Sequence, residues 1–165
     1  MMSELEVVGI REVSAEKSTE KRLITFRLND ELIGIDITNV VKITIDMDIT
    51  PVPKTKEYIL GVMNLRGNII PVVTLKKKLG LPELSTPTRN TIIVVETDFG
   101  NIGILVDKVE GALNVNPEEI QPPPMNSIGI DPEFLEGVVM IFKEDGEREL
   151  LTILSIKKIF RADNM

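Results

Sequence analysis

The stretch Ile33–Ile43 (IGIDITNVVKI) recurs later in the chain as Ile102–Ala112 (IGILVDKVEGA), and this internal repeat decides the fold. Both copies begin with Ile-Gly-Ile and then keep apolar residues at the same spacing. Upstream, Leu23–Phe26 aligns with Ile92–Val95, so the matches follow one order along the chain. A shared order is harder to attribute to chance than any single match, and the chain therefore contains one unit of roughly 70 residues twice.

Each copy predicts five strands, because runs rich in Ile, Val and Leu are interrupted by turn residues. In the first copy the predicted strands are Leu23–Leu28, Leu32–Ile37, Lys42–Met47, Gly61–Leu65 and Ile69–Thr74. In the second copy they are Thr91–Glu96, Ile102–Val106, Gly111–Val115, Gly137–Phe142 and Leu150–Leu154. Short helices are predicted at Leu75–Leu79, which Gly80 ends, and from Ser155 to Phe160.

Five short strands that close on themselves leave few exposed edges, so the sequence predicts an all-β protein with two five-stranded barrels packed side by side. We expect residues 1–20 to form a flexible tail, 21–80 the first barrel, 81–89 a linker and 90–165 the second barrel. A barrel of this size has a marginal core, which favours burial of apolar surface between the two barrels. The sequence leaves open whether the barrels exchange strands or helices.

The composition argues against catalysis and against several kinds of binding site. The 165 residues contain no Cys and no His, which removes thiolate chemistry, imidazole ligands and the commonest general base. The net charge of −7 disfavours a nucleic-acid surface. No apolar run approaches the ~20 residues that span a bilayer and no signal-peptide pattern is present, so we expect a cytoplasmic protein. No phosphate-binding or calcium-binding loop is recognisable, and neither a cofactor nor a metal ion is expected.

Paired carboxylates are the remaining candidates for catalysis. Asp46 with Asp48, or Glu118 with Glu119, would in principle supply an acid and a base. The interpretation that we favour is a solvated turn for the first pair and the acidic first turn of a helix for the second. A hydrolase would need two acids that face each other in a cleft, and a small-molecule-binding barrel would need a closed cavity with convergent polar groups. The sequence indicates neither.

Apolar residues at matching positions of the two copies are candidates for a binding groove: Ile37, Val40 and Ile43 in the first, and Val106, Val109 and Ala112 in the second. One interpretation is that all of them fill the barrel cores. The other is that some line an apolar groove between the barrels, which would accept the apolar face of a partner helix.

Two loops of the first copy are candidates for contact surfaces. The predicted hairpin Asn64–Asn68 (NLRGN) displays Arg66, which either recognises a carboxylate of a partner or is an exposed surface residue paired with nothing or with a nearby acid. The prolines of Ile49–Pro53 (ITPVP) stiffen the loop before the fourth strand, and this stretch aligns with Ile120–Pro124 (IQPPP). Such a loop either is a pre-organised contact surface or forms a stiff corner that closes the barrel.

The stretches Ile49–Pro53 and Ile59–Leu75 (ILGVMNLRGNIIPVVTL) resemble the signature of CheW-like chemotaxis coupling domains. Gly103–Val109 (GILVDKV) and Glu119–Pro124 (EIQPPP) are similar to the second half of that family. The resemblance extends over nearly the whole chain, from about Leu23 to Phe160, and the Asn-Leu-Arg-Gly hairpin with its flanks is its most specific part.

This resemblance implies a non-catalytic chemotaxis adaptor built from two SH3-like barrels. One barrel would bind the regulatory domain of a CheA-type histidine kinase. A groove between the barrels would bind the cytoplasmic tip of a chemoreceptor, so that the protein is recruited to receptor arrays at the inner face of the membrane without inserting into it. The implied receptor-binding groove consists of Ile24, Ile37, Val40, Ile43, Arg66, Val109 and Ala112. The implied kinase-binding surface consists of Ile49, Thr50, Pro51, Val52, Pro53 and Gly61.

Overall fold

The computed structural model describes residues 20–124 and 129–161. Within them the chain forms ten strands: β1 (Lys21–Leu28), β2 (Glu31–Asp36), β3 (Val40–Ile45), β4 (Ile59–Leu65), β5 (Asn68–Thr74), β6 (Thr91–Thr97), β7 (Gly100–Val106), β8 (Lys108–Val115), β9 (Leu135–Phe142) and β10 (Arg148–Leu154). The predicted N-terminal tail lies outside the described residues except for Glu20.

Two short helices and three single turns of 3₁₀ helix complete the secondary structure of the described residues. Helix α1 (Leu75–Lys78) follows β5, and helix α2 (Ile156–Ile159) follows β10. Ser155 caps α2 by accepting a hydrogen bond from the Lys158 N–H at 3.2 Å, as the sequence predicted. The 3₁₀ turns are Ile37–Asn39, Pro117–Glu119 and Pro132–Phe134.

The strands form two five-stranded sheets with the same internal order, which confirms the predicted fold class. We call them the β3 barrel, in the order β3-β6-β7-β5-β4, and the β8 barrel, in the order β8-β1-β2-β10-β9. Strands at the same position in the two barrels differ by five in their numbers: β3 corresponds to β8, β6 to β1, β7 to β2, β5 to β10 and β4 to β9. The repeated sequence therefore corresponds to a repeated arrangement of strands.

The chain is divided between the barrels differently from the predicted boundaries of 21–80 and 90–165. The β3 barrel takes all its strands from residues 40–106, whereas the β8 barrel combines β1 and β2 with β8, β9 and β10. Residues 81–89 were predicted as a linker between the barrels. They instead connect α1 to β6, so both ends of this loop belong to the β3 barrel. The β1–β2 hairpin is thus exchanged into the second barrel. There β1 pairs antiparallel with β8 and β2 pairs parallel with β10. In the β3 barrel, β6 and β7 make the equivalent pairs with β3 and β5.

A short backbone bridge closes each barrel. Thr50 and Val62 exchange two N–H···O=C hydrogen bonds of 2.8 and 2.9 Å, which join the chain after β3 to strand β4. Gln121 and Val138 make the equivalent pair, also at 2.8 and 2.9 Å, between the chain after β8 and strand β9. The proline-containing stretches thus lie at the closure of both barrels.

Glycine at position 61 permits the first of these closures. A Cβ atom built on Gly61 would lie 2.3 Å from the Thr50 carbonyl oxygen. Gly137 occupies the matching place, where a Cβ would lie 2.6 Å from the Gln121 carbonyl oxygen. The two backbones approach this closely only because neither glycine carries a side chain.

The most extensive apolar core lies between the barrels, as their small size favours. Strand β1 shows how it forms: Leu23 faces the interior of the β8 barrel, whereas Ile24 and Phe26 face the other barrel. In β6, Ile92 likewise faces its own barrel and Ile93 faces the seam. Residues Ile92–Val95 of β6 are buried on both faces, which is why they form a continuous apolar run rather than an alternating pattern.

Candidate functional site

An open depression lies at the seam, between β3 of one barrel and the start of β8 of the other. It has a volume of ≈ 410 Å³. Its apolar lining comes from Ile43 and Ile45 of β3 and Val109 of β8, and Pro87 and Arg89 of the 81–89 loop border it. We call this depression the seam groove. It contains two of the residues that were considered for a groove between the barrels, Ile43 and Val109.

The six apolar groove residues that the family resemblance implied all belong to or pack against the core between the barrels. Ile37, Val40, Ile43 and Val109 are half-buried and pack against that core. Ile24 and Ala112 lie opposite each other on β1 and β8 and are only 3% and 6% exposed. These two form the floor beneath the seam, so a partner would contact the half-buried residues above them.

A short irregular segment turns the start of β3 toward the seam. Asp36 accepts hydrogen bonds from the Thr38 N–H (2.9 Å) and the Thr38 hydroxyl (2.8 Å), which fixes the 3₁₀ turn Ile37–Asn39. A bulge follows, because the pairing of β3 with β6 shifts register between Val40 and Lys42. A turn and a bulge therefore separate β2 from the regular part of β3.

Two exposed apolar residues of β3 were not predicted, and one of them, Ile45, lines the seam groove. Val41, at the bulge, is 51% exposed, and Ile45 is 50% exposed. The signal for Ile45 was present, since it lies two residues after Ile43 and shares its strand face. Val41 had no such signal, because the bulge interrupts the alternation of faces.

Arg66 lies apart from the other predicted groove residues. It is exposed at the turn between β4 and β5, where its φ of 54° is left-handed. The Asn64 side chain stabilises this turn by accepting a hydrogen bond from the Gly67 N–H at 2.8 Å. The Arg66 guanidinium makes no hydrogen bond or ion pair with another described residue. The described residues that line the seam groove do not include it.

The predicted kinase-binding residues divide into a supporting part and an exposed part. Ile49 packs against the interior of the β3 barrel, the Thr50 backbone closes that barrel, and Gly61 is buried beneath it. Pro51, Val52 and Pro53 are exposed. The closure therefore holds an apolar loop at the surface. The exposed side chains of Leu60 and Ile69, on β4 and β5 of the same barrel, were missed by the sequence interpretation.

Charged residues lie at two places along the seam groove. At its rim, the Arg89 guanidinium lies 2.8 Å from the Asp46 carboxylate, so Asp46 is part of an ion pair rather than of a catalytic pair. At its inner end lies Asp107, whose pKa burial alone would raise. Hydrogen bonds from the Lys76 ammonium, the Ser85 hydroxyl and the Asn29 N–H outweigh burial and lower the pKa of Asp107 below its ordinary value. Asp107 is therefore a structural anion at neutral pH.

The remaining candidates for chemistry occupy structural positions. Glu118 and Glu119 are exposed in a 3₁₀ turn that Asn116 caps by accepting a hydrogen bond from the Glu118 N–H at 2.9 Å. Over residues 20–124 and 129–161, no group of three or more acidic side chains is arranged to hold a metal ion. None of the helices in the described part of the chain is long and apolar enough to cross a bilayer.

Comparisons with known proteins identify the family. A family model described as the CheW-like domain matches residues 22–164. Chemotaxis protein CheW of Treponema pallidum is 32% identical over 148 residues, which cover 87% of this chain and 84% of that protein. Chemotaxis protein CheW of Thermotoga maritima is 32% identical over 145 residues, which cover 88% and 91% of the two chains. The crystal structure of the scaffolding protein TtCheW from Thermoanaerobacter tengcongensis aligns with a TM-score of 0.75 and 34% identity, covering 88% of this chain and 96% of that one.

These matches extend over the same residues as the hairpin signature and the repeat. The structural match confirms the prediction of two SH3-like barrels. The relatives are named as chemotaxis and scaffolding proteins, in agreement with the predicted non-catalytic adaptor. The chain therefore belongs to the CheW-like family of chemotaxis scaffold proteins.

Proposed function

We propose that this chain couples a chemoreceptor to a CheA-type histidine kinase and that the seam groove binds the helical hairpin at the receptor's cytoplasmic tip. The observation that carries the proposal is the group of apolar side chains that β3 and β8 bring together at the groove, the half-buried Ile43 and Val109 and the exposed Ile45. An amphipathic helix buries its apolar face in a surface of this kind.

The geometry of the seam supports a helix as the ligand. The floor of the groove is the packed core between two rigid barrels, so the groove is formed before the partner arrives and little ordering is needed on binding. Its rim carries both charge signs, with Arg89 paired to Asp46 and Lys108 exposed nearby. Charged positions flanking an apolar stripe are what the sides of an amphipathic helix require.

The exposed apolar loop of the β3 barrel is the surface that we assign to the kinase regulatory domain. Pro51, Val52 and Pro53 project from the closure, and Leu60 and Ile69 expose further apolar surface on the same barrel. The closing hydrogen bonds between Thr50 and Val62 hold this loop in one conformation. A protein surface with several exposed apolar side chains on a rigid support is suited to protein–protein contact.

Two separate surfaces on one rigid body account for coupling without chemistry. The protein raises the effective concentration of the kinase near the receptor and fixes their relative orientation. It transmits a signal only if its affinity differs between receptor states or between kinase states. We place this activity in the cytoplasm, at receptor arrays on the inner face of the membrane.

Exchanging one exposed apolar residue for a carboxylate on each surface tests the assignment. Ile45→Asp, at a residue that lines the seam groove and is 50% exposed, should weaken binding of a receptor signalling fragment by at least about tenfold, because a carboxylate would be buried against an apolar helix face. Ile69→Asp, at a residue 64% exposed on β5, should weaken kinase-domain binding by a similar factor of about ten. Each variant should leave the other interaction unchanged, as titration calorimetry would show.

A third variant is the control for the added negative charge. Phe99, at the turn between β6 and β7, is 53% exposed and lies in neither surface, so Phe99→Asp should bind both partners normally. Receptor affinity of Ile45→Asp within about twofold of that of Phe99→Asp would contradict the groove assignment. The same result for Ile69→Asp and the kinase domain would contradict the assignment of the second surface.

A further inference from the structure

The 81–89 loop is tied to both barrels although its two ends belong to one of them. It leaves the β3 barrel after α1 and returns to it at β6. Between these points it meets the β1–β2 turn of the β8 barrel, where the Asn29 side chain donates a hydrogen bond to the Pro82 carbonyl at 2.7 Å. The Leu84 N–H donates to the Asn29 side-chain oxygen at 3.1 Å. The loop therefore bridges the seam at this end.

A buried ion pair lies beneath the loop. Lys76 of α1 is only 3% exposed, and its ammonium is 2.8 Å from the Asp107 carboxylate and 2.9 Å from that of Glu83. The second Asp107 oxygen accepts hydrogen bonds from the Asn29 N–H (2.8 Å) and the Ser85 hydroxyl (2.5 Å). Asp107 lies where the chain crosses from β7 of one barrel to β8 of the other. One cluster thus joins the loop, both barrels and the crossing.

The geometry of this cluster is specific because the ammonium of Lys76 and the carboxylate of Asp107 are shielded from water. An ammonium and a carboxylate buried together are tolerable only when each keeps its partners, so the loop has few alternative positions. Lys77, the next residue, is exposed and Lys78 lies over the Tyr58 ring at 4.3 Å. Of these three consecutive lysines, Lys76 is the one buried within the charged cluster.

The far end of the same loop borders the seam groove. Pro87 and Arg89 line the groove beside Ile43 and Val109. Arg89 is held by its ion pair with Asp46, at the end of β3, and the Asp46 N–H donates to the Asn90 carbonyl at 2.8 Å. The loop is therefore fixed at both ends and forms one side of the groove.

We propose that the 81–89 loop is a wall of the seam groove that shapes it for its partner, and that Lys76 and Asp107 are positioning residues that hold this wall. The role of the wall in binding rests on the proposed function, whereas the holding of the loop does not. The partner contacts Pro87 and the apolar part of the wall, and the ion pair acts through the loop without touching the partner.

Lys76→Met tests the holding of the loop, with Lys77→Met as the matched control. Hydrogen exchange of the Leu84 amide, which is bonded to Asn29, reports the position of the loop directly. We expect exchange at Leu84 to rise at least about tenfold in Lys76→Met and to stay unchanged in Lys77→Met, measured on the full chain. Equal protection of Leu84 in the two variants would overturn the proposal.

A milder variant keeps the test decisive if Lys76→Met does not fold. Ser85→Ala removes one donor to Asp107 and leaves the ion pair in place. We expect a smaller rise in Leu84 exchange, about threefold. No rise in either folded variant would overturn the holding role.

Measuring the affinity for the receptor fragment distinguishes failure of the wall proposal from failure of the proposed function. If the wall shapes the groove, Lys76→Met should weaken binding of the receptor fragment about fivefold and leave kinase-domain binding unchanged. Unchanged receptor affinity in Lys76→Met, with binding lost in Ile45→Asp, would overturn the role of the loop as a wall and leave the groove assignment intact. If both variants bound the receptor fragment with unchanged affinity, the result would count against the proposed function itself.

Discussion

Replacing Gly61 with alanine should open the β3 barrel at its closure. The added Cβ would lie 2.3 Å from the Thr50 carbonyl oxygen and 3.0 Å from Ile49 Cγ2. The first atom belongs to the backbone, so no rotation of a side chain relieves the overlap. To restore an ordinary contact the two backbones must separate by about 1 Å, which lengthens the Thr50–Val62 hydrogen bonds beyond the ~3.2 Å limit of a normal N–H···O bond.

The size of the effect follows from the interactions that are lost. Two backbone hydrogen bonds contribute about 0.5–1.5 kcal/mol each, and local overpacking costs about 1 kcal/mol more. Alanine also reduces the conformational entropy of the unfolded chain, which returns about 0.5 kcal/mol. We therefore expect Gly61→Ala to lower the free energy of unfolding by about 1.5–3.5 kcal/mol.

Gly111→Ala is the matched control for this substitution. Gly111 has nearly the same φ as Gly61 (155° against 159°), yet no atom lies within 4 Å of its hypothetical Cβ. Any cost of the backbone conformation is therefore shared and cancels in the comparison. Gly137→Ala should behave like Gly61→Ala, because its Cβ would meet the Gln121 carbonyl oxygen at 2.6 Å.

Urea unfolding followed by far-ultraviolet circular dichroism measures the difference, since the chain has no Trp and only one Tyr. We expect Gly61→Ala to be less stable than Gly111→Ala by at least about 2 kcal/mol, with unchanged dependence on urea concentration. A difference of less than about 0.5 kcal/mol would refute the reasoning, because it would mean that the closure gives way without cost.

Three further substitutions test the core and the buried charges. Thr44→Val should leave stability unchanged or raise it by up to about 1 kcal/mol in urea unfolding, because the buried Thr44 hydroxyl has no hydrogen-bond partner among the described residues. Phe160→Ala should cost about 3–5 kcal/mol in the same assay, since this fully buried ring fills the core between the barrels. Asp107→Asn should destabilise the protein at neutral pH, and its deficit relative to the unaltered chain should shrink in acid titrations below about pH 4. The lowered pKa of Asp107 contributes stability above the pKa of the unfolded chain, and this contribution is lost as the pH falls through the folded value.

Much of the fold was predictable because strand signals are local. Nine of the predicted strands differ from the observed ones mainly by a residue or a few at their ends, where the alternation of faces fades. The exception with a clear cause is Lys42–Met47, observed as Val40–Ile45. The bulge at Val41 hides the true start of this strand, and the left-handed φ of 63° at Asp46 ends it before Met47.

The exchange of the β1–β2 hairpin was not predictable from the repeat. Equivalent strands carry equivalent apolar patterns, so either assignment of β1 and β2 satisfies the same local rules. What distinguishes the two assignments is the short connection Ile37–Asn39, which carries the chain across the seam between β2 and β3. Periodicity does not encode the direction of such a short connection.

The candidate site was predicted in part, for a similar reason. The apolar groove residues share the repeat, so their common face was visible in the sequence. The buried position of Lys76 was not, because its partners Glu83 and Asp107 are brought to it only by the 81–89 loop and by the β7–β8 crossing. A lysine beside two other lysines is ordinarily read as a solvated surface residue.

The discontinuous composition of the β8 barrel sets the order in which the protein becomes complete during synthesis. Strands β1 and β2 emerge from the ribosome first, but their neighbours β8 and β10 follow only after all of residues 40–106. At about 5–20 residues per second the hairpin waits for several seconds with both of its edges unpaired. The contiguous β3 barrel has all its strands only when that interval ends, and its apolar flank then offers the hairpin a surface on which to dock. We therefore expect the divided barrel to be assembled on the inserted one.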